Sequence, residues 1–276
     1  ASTVPCVPRH HRVRAGVIAV AASAVAALTA GCADHTVAVA FRPAAGARYS
    51  YEVKVTSAAT TRIPGEADRD TADSFVLIAH HRVLNTDASG SRVEVRLAAA
   101  GREPRTFVVR LDRAAQLTEV QRIEGLPAQV LGNLGLSEIF PAAAGAPPSR
   151  PLAPGDRWQI DEPLQLASGP PVRLRGEGRL AALGVVGGRD VATLESVIRL
   201  PVRSTVEEAG REIDLVGSQR TVMTTTHTLD DGAVETVRAV TRGRFEIVLQ
   251  PPDGSNAPPV RGELDLTVRS TTRRLG

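Results

Sequence analysis

Alternation with a period of two runs through much of this chain, and it leaves few folds open. Tyr49, Tyr51, Val53 and Val55 alternate with Ser50, Glu52, Lys54 and Thr56. Val93, Val95 and Leu97 alternate with Arg92, Glu94 and Arg96, and Leu264, Leu266 and Val268 with Glu263, Asp265 and Thr267. Successive side chains of a strand point to opposite faces, so each stretch reads as a strand with one apolar and one wet face. Turn chemistry separates such stretches: Asp87-Ala88-Ser89-Gly90, Gly187-Gly188-Arg189-Asp190, Asp230-Asp231-Gly232 and Pro252-Asp253-Gly254. Strands joined by hairpins pair antiparallel, with one face on the core. The expected class is mainly β (α+β), a large curved antiparallel sheet or half-barrel with one or few covering helices.

One segment breaks the period. From Leu126 to Phe140, the spacing of Leu126, Val130, Leu131 and Leu134 predicts a helix, with Pro127 in its first turn and Pro141 as its stop. A bare apolar sheet face would be an exposed patch larger than monomers tolerate. This helix is therefore expected to cover the sheet, and Leu126, Val130, Leu131, Leu134 and Phe140 to border any ligand space. The Pro/Ala-rich stretch after it suggests an internal boundary between similar halves, 36–141 and 152–276. Pro43 to Tyr49 and Pro154 to Trp158 each set a turn, an Arg and an aromatic at the start of a strand.

The N-terminal stretch carries a different signal. Arg9, Arg12 and Arg14 precede an uncharged run from Ala15 to Ala30 that ends in small residues. That order is a secretory signal peptide, predicted over 1–31. Its apolar run of about 16 residues falls short of the roughly 17–25 of a spanning helix. Leu28, Thr29, Ala30, Gly31 and Cys32 then resemble a bacterial lipobox, which implies signal peptidase cleavage before Cys32 and a lipid on it, with 32–35 as a short tether before a domain over 36–276. A thiolate is the nucleophile that accepts a lipid, and Cys32 supplies it. At roughly 3.5 Å per residue such a tether spans under about 20 Å. The protein is expected at the outer, extracytoplasmic face of the cell membrane, held through lipid on Cys32.

Charge and cysteine content narrow the functional classes. Arg9, Arg12 and Arg14 account for the excess of 33 Lys+Arg over 30 Asp+Glu, so the chain beyond them is formally neutral. Nucleic-acid binding, which needs a basic stripe, has no support in composition. The only cysteines are Cys6 and Cys32. Once the signal leaves, no disulfide framework remains.

Catalytic motifs are scarce. Gly176-Glu177-Gly178-Arg179-Leu180-Ala181 matches the dinucleotide fingerprint in letters, but strand and turn residues follow where a helix is required. His80 and His81 fall on opposite faces of a strand and cannot share a metal. His227, in a Thr-rich strand, reads as a solvent-face residue. Asp68, Asp70 and Asp73 lack the glycine and terminal glutamate of a calcium loop. Trp158 reads as a core anchor. No Gly-x-Ser-x-Gly elbow occurs. The chain is expected to be no enzyme and to use no cofactor or metal.

Leu28 to Cys32 resembles a bacterial lipobox, with Thr29 where Leu is preferred. Together with the Arg48-Tyr49 strand start and Pro154-Gly155-Asp156-Arg157-Trp158, the chain resembles a group of actinobacterial lipoproteins. It is more loosely similar to the LolA-like and mycobacterial lipid-carrier lipoproteins. That likeness implies a curved antiparallel sheet over helices and the carriage of acyl chains. The expected function is binding or carrying a lipid or other apolar ligand; the alternative is a non-enzymatic surface scaffold or sensor with a packed core. Aromatics make up 3% of the chain. Filling the sheet's concavity therefore falls to Ala, Val and Leu, and any unfilled remainder suits an acyl chain.

Overall fold

The computed structural model describes residues 36–99, 102–113, 117–123, 147–164, 172–208, 211–251 and 258–276. They belong to one unit, His35–Gly276. The alternation is realised as eleven strands. The first five are β1 (Arg48–Arg62), β2 (Arg69–Asp87), β3 (Gly90–Ala99), β4 (Arg102–Leu111) and β5 (Leu117–Ile123). The rest are β6 (Arg157–Leu164), β7 (Val172–Val186), β8 (Arg189–Glu208), β9 (Arg211–Thr228), β10 (Val234–Leu249) and β11 (Val260–Leu275). All lie in one antiparallel sheet of order β5-β4-β3-β2-β1-β11-β10-β9-β8-β7-β6. Each wing is a meander, and the β1–β11 ladder from Ser50↔Leu275 to Arg62↔Glu263 joins them.

The period-two residues divide the sheet into two faces. Tyr49, Tyr51, Val53, Val55, Val93, Val95, Phe107, Val109, Leu180, Leu194, Met223 and Val237 are buried on the inner face. Residues between them, such as Lys54, Arg96 and Arg179, are exposed. Leu264, Leu266 and Val268 are half-buried.

No helix occurs among the described residues, so the expected covering helix is not part of the fold seen here. The Leu126–Phe140 segment assigned to it lies outside them. What does cover one end of the inner face is an extended strap, 36–43. It makes an isolated bridge, Val37 with Leu152, with N–H···O bonds of 2.8 Å in both directions. The Phe41 N–H donates to Arg113 O and the Arg42 N–H to Asp231 O, each at 2.7 Å. The strap thus bonds the second residue after β4, the turn before β10 and the approach to β6. Val39, Phe41 and Leu152 are buried beneath it.

The resemblance between the two strand starts is physical. Gly46 (φ 83°) and Gly155 (φ 94°) both sit in the left-handed region, open to glycine without strain. The Gly46 N–H donates to Val83 O, the Val83 N–H to Ala47 O, and the Ala47 N–H to Ala44 O. The Gly155 N–H donates to Leu180 O, the Leu180 N–H to Asp156 O, and the Asp156 N–H to Ala153 O. A bulge follows Val83 in the β2–β3 ladder and Leu180 in the β7–β8 ladder. Such a bulge bends its strand and adds twist.

Candidate functional site

The described surface with the strongest claim to a ligand is the sheet's inner face and the polar cluster that closes one end of it. That end gathers the starts of β1, β8 and β10 with the ends of β9 and β11. Asp231, in the β9–β10 turn, organises it. Its Oδ1 accepts from Thr228 Oγ1 (2.5 Å) and the Ala233 N–H (2.9 Å), and its Oδ2 accepts from Tyr49 Oη at 2.8 Å. Asp side chains suit such local turns because they mimic a backbone acceptor. Burial pushes the Asp231 carboxyl up, but these bonds and the Arg274 charge outweigh it and hold it below the usual range.

Arg274 lies 4.9 Å from the centre of the Tyr49 ring, a cation–π distance. Its Nη1 donates to Glu235 Oε1 at 2.9 Å, and Arg189 Nη1 reaches the same oxygen at 2.6 Å. Burial first, then Asp231, raises the Tyr49 phenol well above its ordinary range. Tyr49 therefore stays protonated and Asp231 ionised near neutral pH. Neither is poised to move a proton, and the cluster acts as a clasp between strand ends.

Farther along the inner face stand polar side chains among apolar ones. Thr225 and His227 alternate with exposed Thr224 and half-buried Thr226 on β9, and each is about 2% exposed. His227 Nδ1 lies 3.1 Å from Gly232 O. A carbonyl only accepts, so Nδ1 carries the proton and Nε2 presents a lone pair. Among the described residues, His227 Nε2 and Thr225 Oγ1 have no hydrogen-bond partner. Burial lowers the His227 pKa below its ordinary value despite the Gly232 bond. The reading of His227 as a solvent-face residue is thus corrected. The Thr-rich run hid the parity, which Met223 on the same face sets.

His80 and His81 do point to opposite faces, His80 exposed and His81 buried. Burial, then the charge of His80, pushes His81 down to about 4. Its ring meets Tyr51 edge-on, centres 5.0 Å apart. The glycines of the dinucleotide-like run are strand residues of β7. Trp158 packs flat on Gly178, where a Cβ would overlap the indole. Asp70 accepts from Thr60 at 2.6 Å and Asp68 lies 3.6 Å from Arg62. No cluster of three or more metal-ligating side chains occurs among the described residues.

The outer face carries a shallow, open depression of about 230 Å³ beside Glu177, Arg179, Glu195, Val197 and Val222. The predicted lipidation residue Cys32, its recognition residues Leu28, Thr29, Ala30 and Gly31, and the predicted ligand-lining Leu126, Val130, Leu131, Leu134 and Phe140 all lie outside the described residues. Sequence reasoning missed Asp231 and Thr225. The Asp-Gly turn signal was visible, but the partners that give Asp231 its role are up to 182 positions away. No protein-family model matches the chain, and no curated protein does.

Proposed function

We propose that the chain is a membrane-anchored extracytoplasmic lipoprotein that takes a lipid or other apolar ligand against the inner face of its sheet. The observation that carries this reading is the inner face itself. Its side chains are mostly small and aliphatic, and Thr225 Oγ1 and His227 Nε2 stand in it buried, with no hydrogen-bond partner among the described residues. An unpaired buried polar atom costs about 1–3 kcal/mol. A hydroxyl group on an otherwise apolar ligand offers both a partner, donating to His227 Nε2 or accepting from Thr225 Oγ1, and an ester oxygen can accept from Thr225 Oγ1. The anchor is read from Cys32 and the residues before it.

Two measurements test the reading. Organic extraction of the protein purified from its own membrane, followed by mass spectrometry, should yield a stoichiometric oxygen-bearing lipid, and less of it from T225V/H227L. An empty extract would overturn ligand carriage. It would favour the alternative, a packed scaffold, to which the zero exposure of Val53, Val93, Val95 and Leu180 also points. For the anchor, wild type should enter the detergent phase and Cys32→Ala the aqueous phase, because two acyl chains suffice for stable attachment. Equal partitioning would remove the anchor from the proposal.

A further inference from the structure

The registers of the second wing align four arginines that are far apart in sequence. Arg175 pairs with Arg199, Arg199 with Arg220, and Arg220 with Arg242, so one row crosses β7, β8, β9 and β10 on the outer face. All four are exposed. Neighbouring strands lie about 4.8 Å apart, so the four Cα positions span roughly 14 Å. Like charges directly opposite each other destabilise a sheet, and here three successive pairs do so. Asp161 ends the row; it pairs with Arg173 at 2.8 Å and reaches Arg175 only at 4.0 Å. Among the described residues, Arg199, Arg220 and Arg242 find no ion pair or side-chain hydrogen bond. Other cross-strand pairs are mixed: Arg82 with Glu94 and Arg244 with Asp265 are matched in charge, while Arg48 with Arg82, Arg92 with Arg110 and Arg157 with Arg179 are single like-charged pairs rather than a row of four.

The neighbouring row on this face is apolar. Val197, Val222 and Val240 pair in register across β8, β9 and β10, ending in Glu177 on β7. Val222 is 41% exposed. A stripe of guanidinium groups beside a stripe of partly exposed valines matches a surface with phosphates at one depth and hydrocarbon just below. A soluble polyanion would use the arginines and leave the valines idle.

We propose that the outer face of β7–β10 is a docking surface for an anionic phospholipid bilayer, with the Arg175–Arg199–Arg220–Arg242 row on the headgroup phosphates and the valine row at the acyl boundary. Guanidinium groups suit this because they bind phosphate oxygens bidentately and are weakly hydrated. The inference rests on the membrane-anchored reading above, which keeps phospholipid within reach. One acyl anchor plus a polybasic patch is a known route to stable attachment.

The test uses the full chain carrying Cys32→Ala, so no lipid anchor contributes. Binding is measured by flotation with vesicles of phosphatidylglycerol and phosphatidylcholine, and with phosphatidylcholine alone. Two variants lose the same net charge: R175Q/R199Q/R220Q/R242Q and, on exposed positions elsewhere, R48Q/R69Q/R92Q/R96Q. Each surface arginine is worth about fivefold in affinity for an anionic leaflet, so the row variant should lose about 100-fold or more on anionic vesicles. The control should keep most of the binding, and high salt should abolish the difference. The row variant should keep its circular dichroism, since it removes three repulsive pairs and only the 4.0 Å contact of Arg175 with Asp161. Equal losses in both variants, or no loss in the row variant, would overturn the proposal. So would binding of the row to soluble polyphosphate with none to vesicles. Failure of Cys32 lipidation reads out separately, in detergent partitioning, and leaves this comparison intact.

Discussion

The two wings of the sheet lead into their first strands through the same turn, then seat the aromatic that follows against different neighbours. After the Gly46 turn comes Tyr49, fixed by the bond to Asp231 and the Arg274 cation over its ring, with the Phe41 ring beside it, centres 6.2 Å apart. After the Gly155 turn comes Trp158, seated on Gly178, which has no side chain to obstruct the indole. The hydrogen bonds of the two turns correspond one for one. A shared backbone device therefore sets where an aromatic enters the inner face, and remote residues decide what holds it. The outer faces diverge too: β1–β4 hold separate charged pairs, Arg82 with Glu94 matched and Arg48 with Arg82 and Arg92 with Arg110 alike, whereas β7–β10 align four arginines in one row.

The largest expected effect attacks the apolar seat. Trp158→Ala should cost about 3–5 kcal/mol, as aromatic-to-alanine changes in cores do, read as a fall in the urea midpoint. A cost below about 1 kcal/mol would mean that Trp158 is no anchor of its wing.

Next in size is the pH response of β2 in the first wing. His81 titrates near 4 when folded and near the ordinary 6.5 when unfolded. Between those values the unfolded chain binds more protons, so stability falls as pH drops through that window. The difference corresponds to about 3 kcal/mol, and His81→Leu should flatten the slope. Buried His227 adds to it in the same direction. The lowered carboxyls, Asp231 among them, contribute stability present above their unfolded value near 4 and lost only below it. A urea midpoint that does not change from pH 7 to pH 5 would contradict the burial of both histidines.

Tyr49→Phe tests the polar seat alone. It keeps the ring and removes the bond to Asp231, so it should cost about 1 kcal/mol. No measurable cost would make the two wings more alike than their contacts imply. The smallest effect is of opposite sign. Arg199→Thr relieves two like-charged pairs and should stabilise the fold by a few tenths of a kcal/mol, seen as a small rise in melting temperature that shrinks with salt. Destabilisation would show that the arginine stems pack usefully over the valine row.

The sequence by itself determined the antiparallel sheet, because a period of two is a local property of adjacent side chains. Tyr49 to Val55 and Val93 to Leu97 declare their buried face without reference to any partner. The shared turn was legible for the same reason: Gly46 and Gly155, with the Arg and aromatic after them, are contiguous. Only the tertiary structure decided the faces where the pattern is mute, as in the threonines around His227. It also joined Tyr49 to Asp231 and aligned Arg175, Arg199, Arg220 and Arg242. Those groupings depend on strand register, which hairpin turns, bulges and burial over the whole sheet set together. No window of sequence contains them.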